Sequence, residues 1–309
     1  MALVNSDLPD LQLVSKGKVR DIYALPSPDH LLFVASDRIS AYDVILNNGI
    51  PDKGKLLTQI SLFWFRKLAH IIPNHFVTAD VAAMPEVVQR HRAQLDGRAM
   101  LVRKARVVPL EAIVRGYISG SAWAEYKKSG TVHGMPAPPG LVESQKFPEP
   151  LFTPSTKADQ GAHDENISAE QAANLIGQDL YERISAAAIA LYKTAADYAA
   201  SRGVILADTK FEFGLVPGAG DGAPEQLILV DELLTPDSSR YWPAAGYAPG
   251  GPQPSFDKQY LRDWLVGAGF RKGLESGPPG REGQGWTIDE DVVQGTKKRY
   301  EEVVRLLVE

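Results

Sequence analysis

A chain of 309 residues, 44% hydrophobic and 23% charged, has an ordinary globular composition and the length for one bilobal unit or two modest domains. Its net charge of −5, with no cluster of Lys and Arg, speaks against nucleic acid as a partner, and the absence of cysteine removes disulfides, thiolate metal sites and cysteine nucleophiles together. The opening MALVNSDLPDLQLV has an acidic residue and a proline where a secretory leader would be basic and then apolar. No stretch reaches the length of a membrane span, so the sequence predicts a cytoplasmic protein without a membrane partner.

Between Leu13 and Leu46 the runs KVRDIYAL and LLFVAS flank the turn PSPDH, the pattern of a β-hairpin. A helix is predicted near Leu56 to Leu68. The stretch AMLVRKARVVPLEAIVRGYI then reads as two more apolar runs interrupted at Pro109. Prolines and glycines between Thr131 and Pro154 predict an irregular surface connection. Ser168 with Gln171 three residues on is a capping-box signature, opening an alanine-rich helix that runs to Arg202, with Gly177 as a weak point inside it. VILADTKFEFG and EQLILVDELL follow as a second hairpin around the turn-rich GLVPGAGDGAP. Past Trp242, DKQYLRDWLVGAGF and DEDVVQGTKKRYEEVVRLLVE have helical apolar spacing. The expected fold class is α+β: an N-terminal antiparallel β lobe over 1–110, a larger α+β lobe over 111–309, and a ligand cleft between them.

Strand geometry sorts the charged residues. In DTKFEFG the side chains alternate, so Asp208, Lys210 and Glu212 share one face and Thr209, Phe211 and Phe213 the other. The partner strand ends in Asp231 and Glu232, where a carboxylate could approach Glu212. Two such oxygens suffice for Mg²⁺ when nucleotide phosphates complete its shell; the alternative is a solvated face on an edge strand. Lys16, Lys18 and Arg20, around Gly17, suit a phosphate cover, although basic hairpins are commonly just solvated. Arg115 with Ser119, Gly120 and Ser121 combines guanidinium, hydroxyl and backbone donors for a phosphate or carboxylate, against a plain tight turn. Asp237, Ser238, Ser239 and Arg240 form a similar group, or a helix N-cap. His163 lies in a polar cluster with Lys157, Asp159, Asp164 and Glu165, but the six histidines show no metal-ligand spacing.

Taken together, GKVRDIY, ASDRISAYD, RGYISGSAWAEY, TKADQGAHDENIS, DTKFEFG and DELLTPDSSRYW, in order from Gly17 to Trp242, resemble the signature blocks of the SAICAR synthase family. The length and the two helical segments after Trp242 resemble its longer, fungal-like form. The resemblance implies a fold related to ATP-grasp and kinase-like enzymes. It also implies a ligase of de novo purine synthesis that joins L-aspartate to carboxyaminoimidazole ribotide with ATP and Mg²⁺, through an acyl phosphate.

On that resemblance Lys16, Gly17, Lys18, Val19 and Arg20 cover the ATP phosphates, and the backbone at Arg106 and Val107 meets adenine. Glu212 and Asp231 hold magnesium and, with Lys210, form the catalytic group. Lys210, Arg115, Ser119, Ser121, Ser238 and Arg240 belong near the ribotide's anionic groups, and Asp37, Ser40, Lys157, His163 and Asp164 line the same cleft. Ala124 stands where many relatives would carry a basic residue, at a helix surface position tolerant of change. The expected state is a monomer, with a homo-oligomer as the alternative. The rival enzyme class is a kinase-like phosphotransferase, whose HRD and DFG signatures are absent; a nucleotide-sensing scaffold is the non-enzymatic rival.

Overall fold

Alternating apolar residues in the N-terminal third pair as antiparallel strands. The computed structural model describes residues 2–42, 44–157, 165–218, 220, 222–256 and 258–309. It divides into two compact units, one of residues 1–63, 76–104 and 255–309, the other of 64–75 and 105–254. In the first, β1 (Leu13–Lys16), β2 (Arg20–Ala24) and β3 (His30–Ala35) make the expected hairpin, and β4 (Ser40–Ala41) pairs with β5 (Val44–Ile45). Helix α1 (Lys53–Lys67) is followed by β6 (Phe76–Thr78), the short helices α2 (Glu86–Gln89) and α3 (Arg92–Leu95), and β7 (Ala99–Arg103). The sheet order is β1-β2-β3-β7-β6, all neighbours antiparallel. Leu32, Val34, Val88 and Leu95 fill the core on one of its faces.

The second unit begins with β8 (Arg106–Tyr117), which runs straight through Pro109. The break in the apolar pattern falls instead at Lys104 and Ala105. Proline is tolerated because the ladder with the neighbouring strand shifts register there, between the pairs Glu212↔Glu111 and Gly214↔Val107. After α4 (Gly120–Ser129) come the two-residue strands β9 (Thr131–Val132) and β10 (Met135–Pro136), then β11 (Lys146–Phe152) and β12 (Ser155–Thr156). The stretch predicted as irregular thus contributes an edge strand, whose Pro148 and Pro150 sit in a second register shift between Lys146 and Leu151.

The long predicted helix is two helices, α5 (Ala169–Ile176) and α6 (Gln178–Ser201), because Gly177 adopts φ 89°, ψ 143° and ends the first. The capping box of Ser168 and Gln171 is present at the start of α5. Strands β13 (Val204–Val216), β14 (Gln226–Val230) and β15 (Ser239–Pro243) complete the sheet. β13 is central: β8 borders it on one side, β14 and β15 on the other, while β11 and β12 pair with the far side of β8. DTKFEFG is therefore no edge strand.

Helices α7 (Gln259–Gly267) and α8 (Glu290–Leu307) close the chain. They group with the first unit, which departs from the expected cut into 1–110 and 111–309. The reason is packing: Leu261, Leu265, Val292 and Val293 share one apolar cluster with Ile39, Leu46 and Ile50, and Asn48 exchanges two hydrogen bonds with the Ile288 backbone. The fold class is α+β with antiparallel sheets. No helix among the described residues is long and apolar enough to cross a membrane.

Candidate functional site

The ionic face of β13 is set by register. Asp208 lies directly opposite Arg115, Lys210 opposite Ile113 and Glu212 opposite Glu111 on β8, while on its other side Asp208 faces Arg240 of β15. The alternate residues Phe211 and Phe213 are fully buried, so burial of the apolar face fixes which way the charges point. Two groups result along one strand.

The first is cationic. Asp208 Oδ2 accepts from Arg115 Nη1 at 2.8 Å and also from Arg240 Nη1. Arg115 is buried, with Nε donating to Thr153 Oγ1 (3.2 Å), Nη2 to Ser121 Oγ (3.3 Å), and His133 Nε2 within 3.5 Å of Nη2. Burial pulls its pKa down and Asp208 opposes that. Arg240 is partly exposed and lies against Gly120, the first residue of α4, where φ is +57° and a β-carbon would collide with the guanidinium. The residue before it, Ser119, stands at the N-cap without making a cap bond, and its buried hydroxyl has no partner. One carboxylate between two guanidiniums, at a helix N-terminus, leaves positive charge in excess.

The second group is anionic. Glu111 and Glu212, directly opposed, would repel one another. Lys210 Nζ bridges them, bonding Glu111 Oε1 and Glu212 Oε1 (3.3 Å), and Lys157 Nζ takes Glu212 Oε2. Burial alone would lower the Lys210 pKa, but Glu212, Glu111 and Asp231 together raise it, which favours the ammonium form. Asp231 follows Val230, the residue paired with Glu212, and has φ +66°, a left-handed conformation that aspartate tolerates. Three carboxylates against two ammonium groups leave negative charge in excess. Carboxylate oxygens are hard donors, but among the described residues no group of three or more His, Cys, Asp or Glu is placed to hold a metal ion by itself. Such a set fits a cation that brings most of its ligands with it, as Mg²⁺ does on phosphates.

In the first unit the Gly17–Arg20 turn is closed by Gly17 N–H donating to Arg20 O at 2.7 Å. Lys16 Nζ donates to Asn5 Oδ1 at 2.7 Å, and the Arg20 guanidinium lies 5.6 Å from the Phe33 ring centroid.

Other expected site residues fall elsewhere. Asp37 is fully buried, its oxygens taken by Arg98 Nη1 (2.8 Å), Arg98 Nη2 (3.3 Å), Gly54 N (2.9 Å) and Leu3 N (2.7 Å). It ties the chain start and the first turn of α1 together, with both oxygens held by protein donors, a setting that favours a structural role over the expected substrate one. Ser40 is buried in β4. Arg106 pairs with Glu225 at the start of β8, beside the exposed Val107. Ser238 closes the turn from Thr235, and its carbonyl accepts from Lys210 N at 3.0 Å; Asp237–Arg240 is thus a turn into a strand and no helix N-cap. His163 and Asp164 lie outside the described residues.

Glu111, Asp208 and His133 were given no role from sequence. The parity of β8 could have flagged the first, since Glu111 and Arg115 are four residues apart on one face of a strand. His133 gave no signal. Its pKa is lowered to about 4 by burial and then by Arg115, against Glu125 and the Pro154 carbonyl. Glu125 fixes the turn by accepting from His133 N (3.0 Å), Gly134 N (2.8 Å) and Thr131 Oγ1 (2.7 Å).

A profile of the family described as SAICAR synthetase matches residues 13–276. The chain is 55% identical to phosphoribosylaminoimidazole-succinocarboxamide synthase of Pichia angusta, over 96% of this chain and 94% of that protein. To the protein of the same name from Geobacter sulfurreducens it is 52% identical, over 98% and 97%. Relatives matched over nearly their whole length thus come from both a yeast and a bacterium. A solved SAICAR synthase of Saccharomyces cerevisiae, complexed with SAICAR, superposes with a TM-score of 0.84 at 47% identity, covering 99% of this chain and 97% of that one.

Proposed function

The chain belongs to the SAICAR synthetase family, and on that premise we propose how its residues carry the reaction. It is a ligase forming a carbon–nitrogen bond: ATP, 5-amino-1-(5-phosphoribosyl)imidazole-4-carboxylate and L-aspartate give SAICAR, ADP and phosphate in purine biosynthesis. A carboxylate resists an amine because it is anionic and lacks a leaving group. The proposed route moves the γ-phosphoryl of ATP onto a carboxylate oxygen; the aspartate nitrogen then bonds to the carbonyl carbon, phosphate departs with that oxygen, and the nitrogen sheds a proton. Positioning and charge neutralisation carry the acceleration.

The observation that supports this reading is the division of charge along β13. The cationic end, Arg115 and Arg240 on Asp208 with Ser119 and Ser121 at the start of α4, suits the ribotide phosphate. At the other end Lys210 and Lys157 offer cations to the ribotide carboxylate, and Glu212 with Asp231 would hold Mg²⁺. When bound, that ion would neutralise phosphate oxygens on ATP. The Lys16–Arg20 turn is assigned to the ATP phosphates and the backbone of Arg106 and Val107 to adenine. Ser238, with its carbonyl on Lys210 N, is a support of the lysine backbone. A cytoplasmic monomer is part of the same proposal.

The test is a coupled assay of ADP formation with each of the three substrates omitted in turn. Sustained ADP release at the full rate must require both ribotide and aspartate. Release at that rate without aspartate would favour a kinase-like phosphotransferase and refute the ligase.

A further inference from the structure

We infer that Arg38 is the positioning residue of the Gly17–Arg20 turn, holding its backbone so that carbonyl oxygens are withheld from a polyphosphate; this rests on the assignment of that turn to the ATP phosphates. The five N–H donors of a guanidinium are all used here. Nε donates to Lys18 O (3.2 Å), Nη2 to Gly17 O (3.0 Å) and Asp21 Oδ1 (2.6 Å), and Nη1 to Val4 O (2.6 Å) and Asp21 Oδ2 (3.4 Å). Two residues earlier, Ser36 donates to Val19 O twice, from its backbone N (2.9 Å) and from Oγ (2.8 Å). Three successive carbonyls, of residues 17, 18 and 19, are thus bound by residues 36 and 38.

The chemical consequence concerns repulsion. A turn that closes on phosphates must present donors and cations, yet each of its peptide units also carries an oxygen that repels phosphate oxygens. A peptide flip in a glycine-containing turn is easy, and one flip would exchange an N–H for a C=O at the ligand. Binding all three oxygens from behind removes those flips. Arg38 can do this at low cost because Asp21, itself buried on β2, neutralises it, and Ser6 Oγ donates a further bond to that carboxylate at 2.5 Å. The order afforded to the turn is in place before ligand arrives, so less ordering remains for binding to supply.

Lysine cannot reproduce a five-donor fork from one nitrogen. In Arg38→Lys the KM for ATP is expected to rise about tenfold or more, a tenfold loss being about 1.4 kcal/mol, while kcat and the KM for aspartate and for ribotide stay within about twofold. Amide hydrogen exchange of residues 18–20 should quicken in the same variant. Ser36→Ala, which removes the hydroxyl bond to Val19 O and the weaker one that the hydroxyl accepts from Arg38 N (3.3 Å) while leaving the Arg38 guanidinium in place, should give a smaller rise in the same constant and carries the test if Arg38→Lys fails to fold. Lys18→Ala is run beside them. If it leaves the ATP response unchanged, the assignment of the turn to ATP fails. If Lys18→Ala weakens ATP while folded Arg38→Lys and Ser36→Ala do not, or if all three substrate constants shift together in Arg38→Lys, the positioning role of Arg38 is overturned.

Discussion

Replacing Arg240 with lysine separates charge from geometry at the cationic end of β13. In the parent, Arg240 Nη1 bonds Asp208 and the guanidinium lies against Gly120, which brings a planar group to the α4 N-terminus. Lysine keeps the charge, but a single nitrogen can serve Asp208 or a phosphate well and not both. Losing one hydrogen bond to a charged group is worth about 1.5–3 kcal/mol, which is about 10- to 150-fold in the dissociation constant for ribotide. The fold should change little. Arg240 is partly exposed, lysine keeps its charge, and the buried Asp208 retains Arg115, so the loss of stability should be about 1 kcal/mol or less and the melting temperature should stay within about 4 °C of the parent. Arg115→Lys is the contrast: that guanidinium is buried among Asp208, Thr153 and Ser121, and the variant should lose about 3 kcal/mol of stability as well as affinity. Calorimetric titration of Arg240→Lys with ribotide and with a non-hydrolysable ATP analogue reads both halves. Unchanged ribotide affinity would place Arg240 outside the site, and equal weakening of the two ligands would mean a general disturbance.

Asp231→Asn keeps the shape of the residue after β14 and removes a charge from the proposed magnesium site, so turnover should fall about 100-fold or more across a magnesium titration; near-normal turnover would remove Asp231 from that proposal. His133 should make the protein acid-sensitive. Its pKa in the folded state is about 4 against an ordinary 6.5, so on acidification the unfolded chain takes the proton first. Stability from this group is complete above pH 6.5 and is lost between there and about pH 4, by about 3 kcal/mol in all. His133→Gln, which cannot titrate, should flatten that part of the profile in urea unfolding measured from pH 7 to 4, and parallel profiles would count against it. Ser168→Ala should cost about 1 kcal/mol by removing the capping box of α5, seen as a lower urea midpoint with unchanged slope.

Much of the fold and of the charged face is legible in the sequence. Alternation along DTKFEFG places Asp208, Lys210 and Glu212 together because a strand's period of two is a local property, and the capping box is likewise written within four residues. What failed to show depends on register or distant packing. Glu111 matters because it falls opposite Glu212, about a hundred residues away, and nothing near Glu111 announces that pairing. Pro109 looked like an interruption because proline disrupts regular ladders, yet here it coincides with a register shift. The C-terminal helices showed their own period but not their partner, the apolar stretch from Ile39 to Ile50. Asp37 sits in a polar block that reads as ligand-facing, and only its four donors reveal a buried strut.

One property of β13 reaches beyond binding. A hydrogen-bonded strand flanked on both sides cannot lengthen, so the step from Asp208 to Glu212 is held at about 13 Å of backbone, four residues at about 3.3 Å each. The sheet therefore works as a ruler. On the proposed assignment of the ribotide's phosphate and carboxylate to the two ends, an anion matching the fixed separation of the two charge groups would reach both at once, and one of another length would give up one of them, so discrimination among ribotides would begin with length before any contact with the imidazole ring is counted.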